Sequence, residues 1–186
     1  MNVRPLAIAE VLEIRPRIFG DSRGFFYESF NLRKFSEQLP ETEQTLNFVQ
    51  DNHSQSVRGV LRGIHYQLPP FAQGKLVRVT RGEVYDVAVD LRRHSPSFGQ
   101  WVGLLLSSSE KNQLWIPPGF GHAFLCLSDE VEFLYKTTDY YQPSAERCIR
   151  WDDPELAITW PETGNALKLS AKDLAGVSFN SAEYFP

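Results

Sequence analysis

The chain has 186 residues, 42% apolar and 13% aromatic, enough for one domain with a sizeable core. Nineteen basic residues against 23 acidic ones leave a net charge of −4 with the signs mixed, which disfavours a nucleic-acid partner. Cys126 and Cys148, the only cysteines, form no close pair and read as reduced thiols, not a disulfide scaffold or a zinc knuckle. MNVRPLAIAEVLEI lacks a signal-peptide hydrophobic region and no apolar run approaches a membrane span, so a cytoplasmic protein without a membrane partner is expected.

In chain order, residues 8–30 read as short extended segments broken at Gly20-Asp21 and Arg23-Gly24. NLRKFSEQLP predicts a short helix, with Leu32, Phe35 and Leu39 at helical spacing and Pro40 as its stop. From residue 46 to about 142 strand follows strand. KLVRVTRGEVYDVAVDLR alternates on either side of Arg81-Gly82, as in a hairpin, and WVGLLLS, NQLWIPP, HAFLCLS and VEFLYKTTDYY are further strands. After Pro143 the chain turns irregular, and SAKDLAG predicts one short C-terminal helix. Many short strands and little helix give a mainly β fold, a closed barrel or a sandwich.

LRGIHYQ (61–67) raises the first chemical question, because His65 lies on a predicted strand. On spacing alone a satisfied core histidine is the commoner use. The layout Gly59, His65, Gln67, Lys75, Gly82, followed by PPGFGH at 117–122, resembles the paired motifs of the cupin superfamily, the double-stranded β-helix or jelly-roll barrels. The first and last metal-ligand histidines of that pattern remain as His65 and His122. Gln67 and Lys75 stand at the other two positions, although the spacing ahead of Lys75 is longer than usual. An ammonium repels a divalent ion and glutamine is a weak ligand, so no metal is expected. Two polar groups in one small barrel are costly unless used. A histidine and a lysine there suit proton abstraction beside a carbonyl, the imidazole as base and the ammonium beside the enolate oxygen.

Longer stretches sharpen the resemblance. FGDSRGFFYESF (19–30), FVQDNHSQS (48–56), VLRGIHYQ (60–67), QGKLVRVTRGEVYDVAVDLR (73–92), SPSFGQWVG (95–103), QLWIPPGFGHAF (113–124), FLYKTTDYY (133–141) and LSAKD (169–173) together resemble the dTDP-4-dehydrorhamnose 3,5-epimerase family. The match runs in order over nearly the whole chain. It implies one cupin-like domain over residues 1–186, dimeric, with N-terminal strands exchanged between subunits and an irregular, partly helical C-terminal segment. It also implies cofactor-free inversion of C3 and C5 of dTDP-4-dehydro-6-deoxy-D-glucose, the third step toward dTDP-L-rhamnose.

By the same resemblance His65 is the base, Asp173 its partner carboxylate, Tyr135 the proton donor on the other sugar face, and Lys75 the residue near O4. Arg23 and Arg62 are expected at phosphate or sugar oxygens. Glu28, Gln50, Asp51 and Asn52 are expected to hydrogen-bond the nucleoside or sugar, and Tyr141 to stack on thymine. His122, Glu146 and Lys172 fall at further substrate positions. Phe19 and Phe26 are candidates for the nucleotide groove, with plain packing the commoner use. Bland uses stand beside these: Tyr135 lies in an aromatic-rich strand, Asp173 follows Ser170 at capping-box spacing, and Arg23 beside a glycine suits a solvated turn. Gly121 departs from the alanine common in the family. Rival readings are an epimerase of one centre, a ketoisomerase, a metal-dependent oxygenase, and a non-catalytic nucleotide-sugar-binding barrel.

Overall fold

The computed structural model describes residues 1–186, apart from the side chain of Thr42. Thirteen strands follow in order: β1 (Asn2–Pro5), β2 (Leu12–Arg15), β3 (Phe19–Asp21), β4 (Gly24–Phe26), β5 (Gln50–Val57), β6 (Leu61–Gln67), β7 (Lys75–Arg81), β8 (Glu83–Asp90), β9 (Trp101–Ser107), β10 (Gln113–Ile116), β11 (Phe120–Cys126), β12 (Glu130–Thr137) and β13 (Glu146–Cys148). Two helices, α1 (Leu32–Ser36) and α2 (Ala171–Leu174), and two 3-10 turns complete the chain.

The strands form a six-stranded sheet ordered β1-β2-β10-β7-β12-β5, a five-stranded sheet ordered β13-β6-β11-β8-β9, and the separate β3–β4 hairpin. From β5 to β8 the chain passes from one large sheet to the other at each step, and again from β9 to β12. That alternation is the winding of a double-stranded β-helix barrel. It also corrects one expectation: Arg81-Gly82 is not a hairpin turn, since β7 and β8 lie in different sheets. Gly82 has φ +76°, and a Cβ there would lie 2.3 Å from the Glu130 carbonyl oxygen. The glycine thus makes a tight corner between sheets.

Each large sheet is buried on its inner face and covered over part of its outer one. Between them lies a core that includes Val77, Val79, Val84, Leu106, Leu114, Phe124 and Phe133. On the outside of the six-stranded sheet, Phe35 and Leu39 pack on Leu12, Leu76 and Trp115. On the outside of the five-stranded sheet, Ile149, Leu156 and Phe185 from the C-terminal segment cover Ile64, Val87, Val89 and Ala123. This explains why β11 is buried at every position and reads as a continuous run without alternation. Gly121 fits the same layer: a Cβ there would lie 2.5 Å from Ile64 Cγ2, so the isoleucine fills the space an alanine would take.

The predicted helix stops earlier than Pro40. Asn31 caps α1 by accepting a hydrogen bond from the Lys34 amide, and the chain loosens after Ser36 into 3-10-type turns. The C-terminal helix forms as predicted, with Ser170 and Asp173 in a reciprocal capping box. No helix among the described residues is long and apolar enough to cross a membrane.

Candidate active site

One irregularity in β6 places the central residues. Strict alternation would put Arg62 and His65, three apart, on opposite faces of the sheet. In the pairing with β11, His65 stands opposite His122 and Arg62 opposite Phe124, so two residues of β6, Gly63 and Ile64, face the single Ala123. This bulge turns both Arg62 and His65 into the barrel while Ile64 packs outward. Gly63 has φ +127°, and a Cβ there would meet the Ala123 Cβ at 2.4 Å. Only glycine fits that conformation and that approach. Arg62 then donates to the Ser56 hydroxyl on β5 at 3.1 and 3.3 Å.

His65 and Asp173 form a dyad. Nε2 lies 2.8 Å from Asp173 Oδ1, which also accepts from the Gly63 amide at 2.9 Å. Oδ2 accepts from the Ser170 amide at 2.9 Å and its hydroxyl at 2.5 Å. Burial works against the carboxylate charge, but the bonds from His65, Ser170 and Gly63 outweigh it and hold the Asp173 carboxyl well below the usual range. An ionised acceptor fixes the imidazole proton on Nε2. Nδ1 keeps its lone pair, and it is buried with no hydrogen-bond partner among the described residues. The capping box and the dyad therefore share one carboxylate.

The dyad opens on a cavity of about 300 Å³ between the sheets, lined also by Arg62, Lys75, His122 and Tyr135. Tyr135, on β12 of the other sheet, faces β6 across this space. Burial raises its phenol pKa, with Glu146 adding to the shift and Arg62 opposing it, so the hydroxyl keeps its proton. Lys75 is buried at the start of β7, and its Nζ donates to the His65 carbonyl oxygen at 3.4 Å. Burial lowers its pKa to about 8 against the attraction of Asp86 and Glu146. His122 Nε2 lies 3.0 and 3.1 Å from the two carboxylate oxygens of Asp86, both residues being buried. Desolvation raises Asp86 and lowers His122, each charge being favoured by the other. Sequence reading missed Asp86. Its signal was an acid at an inward position of the apolar run VYDVAVD.

At the mouth, Glu146 on β13 accepts from the Tyr141 hydroxyl at 2.8 Å and from Lys172 Nζ at 2.6 Å. Lys172 also donates to the Tyr141 hydroxyl at 3.0 Å. The hydroxyl of Tyr141 is thus anchored while the ring is half exposed. Gln67 supports the same loop: its amide nitrogen donates to the Phe71 and Tyr140 carbonyls, and its oxygen accepts from the Gln142 amide. With every amide group engaged by backbone, Gln67 has nothing to offer a metal, and Lys75 brings a cation to the other substituted ligand position. The residues present do not fit the metal centre of metal-binding cupins.

Other expected residues divide. Gln50 and Asn52 share the partly buried face of β5 with Ser54, which lines the cavity, and Asn52 Nδ2 is buried without a partner among the described residues. Asp51 points to the opposite face and pairs with Lys136 at 2.7 Å. Arg23 is held by Asp21 on the exposed β3–β4 hairpin, and Glu28 by Lys34 and Asn31, neither of them lining the cavity of their own chain. Phe19 and Phe26 are exposed beside them.

A jelly-roll barrel enclosing a histidine–aspartate dyad, a tyrosine and a buried lysine defines a cupin-type enzyme of the epimerase class. The family model described as dTDP-4-dehydrorhamnose 3,5-epimerase matches residues 5–181, and the chain belongs to that family. It is 58% identical over 186 residues to the dTDP-4-dehydrorhamnose 3,5-epimerase of Pseudomonas aeruginosa, covering 100% of both chains. The crystal structure of a dTDP-6-deoxy-D-glucose-3,5-epimerase from Legionella pneumophila, in complex with dTDP-4-keto-L-rhamnose, superposes with a TM-score of 0.93 at 52% identity, covering 98% of this chain and 94% of that one. A dTDP-4-dehydrorhamnose 3-epimerase from Streptomyces niveus is 42% identical over 173 residues, 93% of this chain and 81% of that protein.

Proposed function

We propose that the protein epimerises dTDP-4-dehydro-6-deoxy-D-glucose at C3 and C5 by proton abstraction and return beside the C4 ketone, in dTDP-L-rhamnose biosynthesis. The observation that carries the mechanism is the dyad: Nε2 is committed to Asp173, and Nδ1, buried, keeps a lone pair with no hydrogen-bond partner among the described residues. The C4 ketone acidifies the hydrogens on both neighbouring carbons. Nδ1 of His65 takes one, and Asp173 stabilises the imidazolium. The negative charge gathers on O4, where the Lys75 ammonium is placed to stabilise it. Tyr135, protonated and on the opposite sheet, returns a proton to the other face, and the centre inverts.

Arg62 supplies a guanidinium for phosphate or sugar oxygens and Tyr141 a ring face for the thymine. Gln50, Asn52, His122, Glu146 and Lys172 complete the contacts from the same chain. Arg23, Glu28 and Asp51 lie outside that cavity, so Arg23 and Glu28 serve a site only if the N-terminal hairpin reaches a second copy. A homodimer with exchanged N-terminal strands accounts for this, and for the exposure of Phe19, Phe25 and Phe26. Asp51 enters the site only through a change in its pairing with Lys136.

Replacing His65 with alanine tests the base. Deuterium exchange from solvent into the substrate should vanish while dTDP binding, followed by calorimetry, stays within about threefold of wild type. Retained exchange sinks the assignment. The 42% identity to a 3-epimerase supports a second reading, inversion at one centre only, which exchange at C5 decides against.

A further inference from the structure

Cys148 lies against the dyad, in a place the epimerisation does not use. In the β13–β6 pairing it stands directly opposite His65. One donor atom each from His65, Cys148 and Asp173, supplied by β6, β13 and α2, all fall within 4.8 Å of one another. We propose that these three residues form a binding site for a thiophilic divalent cation such as Zn2+, and that its occupancy switches the enzyme off. The inhibitory half rests on His65 being the base.

The donor set selects the ion. One nitrogen, one sulfur and one carboxylate oxygen suit zinc or cadmium, whereas magnesium and calcium require oxygen donors. Three protein ligands leave the fourth tetrahedral position to water from the cavity, the arrangement of an open zinc site. Zinc bonds of about 2.0–2.3 Å need donors roughly 3.5 Å apart, so a contraction of about 1 Å, within reach of side-chain rotation, closes the site. This set differs from the cupin metal position, sharing only His65 with it.

The protonation states make binding conditional on the metal. Burial, with the nearby Asp173 and Glu146 carboxylates, pushes the Cys148 thiol up to about 12, so without metal it is protonated and a poor nucleophile. Asp173 is already ionised and the imidazole is neutral in its ligating form. Binding therefore releases one proton, from the thiol to solvent, as the zinc–sulfur bond forms. Lys172, the exposed cation at the mouth, is neutralised by Glu146, and the buried Lys75 opposes binding in proportion to its charge.

Either imidazole nitrogen gives the same outcome. If Nδ1 binds the ion, the metal sits on the lone pair that abstracts the substrate proton. If Nε2 binds it, the ring proton moves from Nε2 to Nδ1 and that lone pair is again lost. The Asp173 bond that stabilises the imidazolium is broken in the second case. Oxygen-preferring cations leave all of this untouched.

The test uses the whole, chelator-treated protein. Co2+ added to the wild type should give a thiolate-to-cobalt charge-transfer band at one ion per chain. Zn2+ should displace the cobalt and lower the exchange rate at least about tenfold, with recovery on adding chelator, while Mg2+ at the same concentration has no effect. Cys148→Ser, which removes the soft ligand at nearly constant volume, should keep the metal-free rate within about twofold, lose the band and need at least about tenfold more Zn2+ for the same inhibition. Absence of the band in the wild type overturns the site, as does unchanged zinc inhibition in Cys148→Ser. A band without inhibition refutes instead the assignment of His65 as base, so the two failures are told apart.

Discussion

At the scale of single residues, the proposed chemistry rests on the His65–Asp173 dyad and a buried lysine. Asp173→Asn retains a side chain able to cap α2 but removes the ionised acceptor that fixes the His65 tautomer. Solvent exchange into the substrate should fall about 10³–10⁴-fold with dTDP affinity nearly unchanged. Proportional loss of binding would instead make Asp173 a scaffold residue. Because its folded pKa lies below the unfolded one, Asp173 contributes its full stability above the unfolded carboxyl pKa, and that contribution is lost as pH falls toward the folded value. Lys75 titrates in the working range. With its pKa lowered from 10.5 to about 8, kcat should decline as pH rises through about 8, when the charge beside O4 is lost. Its linkage to stability has the opposite sense: between 8 and 10.5 the unfolded chain binds more protons, so stability rises with pH. Lys75→Met should lower kcat and remove the alkaline limb, and a limb that survives in the variant assigns it to another group. The proposed roles of His65 and Tyr135 are legible in the sequence through long family motifs, and both residues line the cavity. Asp86 was not legible, because an acid within an apolar strand run is a weak signal until its partner on the neighbouring strand, His122, is known.

At the scale of elements, the β6 bulge decides whether the site exists. Period-two alternation would put either Arg62 or His65 outside the barrel, and no pattern rule places a bulge from LRGIHYQ alone. Gly63→Ala should destabilise the protein by roughly 1–3 kcal/mol in denaturant unfolding, through the positive φ and the Ala123 contact. Activity should fall by more than the unfolded fraction explains, because His65 and the Gly63 amide that holds Asp173 both shift. A fully active, equally stable variant would show that the bulge is incidental. The helix and most strands were legible because their periodicity and stops are local: Leu32, Phe35 and Leu39 mark one face, and Pro and Gly end the strands. The misread element was Arg81-Gly82, where alternation on both sides suggests a hairpin. Which sheet each strand joins depends on contacts distant in sequence, such as Gly82 against Glu130. Short strands β1 and β13 escaped for the same reason, since three or four residues carry almost no period. Through β13, Cys148 reaches His65 across 83 residues of chain, a proximity visible only in the fold.

At the scale of the whole molecule, the barrel supplies two facing walls, each packed in part on its outer face by the segments that flank it in sequence. The β3–β4 hairpin stands apart from this frame, with Arg23, Phe19 and Phe26 exposed. Exchange between copies predicts complementation. Arg23→Ala and His65→Ala homodimers should each be impaired, whereas unfolding and refolding them together in equal amounts should restore about a quarter of wild-type activity, from the one intact site in each mixed dimer. No recovery would leave Arg23 acting within its own chain or not at all. The central claim, abstraction and return of protons at both carbons beside the C4 ketone, is tested most directly by proton NMR of the chelator-treated protein with dTDP-4-dehydro-6-deoxy-D-glucose in heavy water. The account predicts deuterium at both C3 and C5, with L-configured product trapped by a downstream reductase. Exchange at one carbon, or at neither while dTDP still binds, would contradict it.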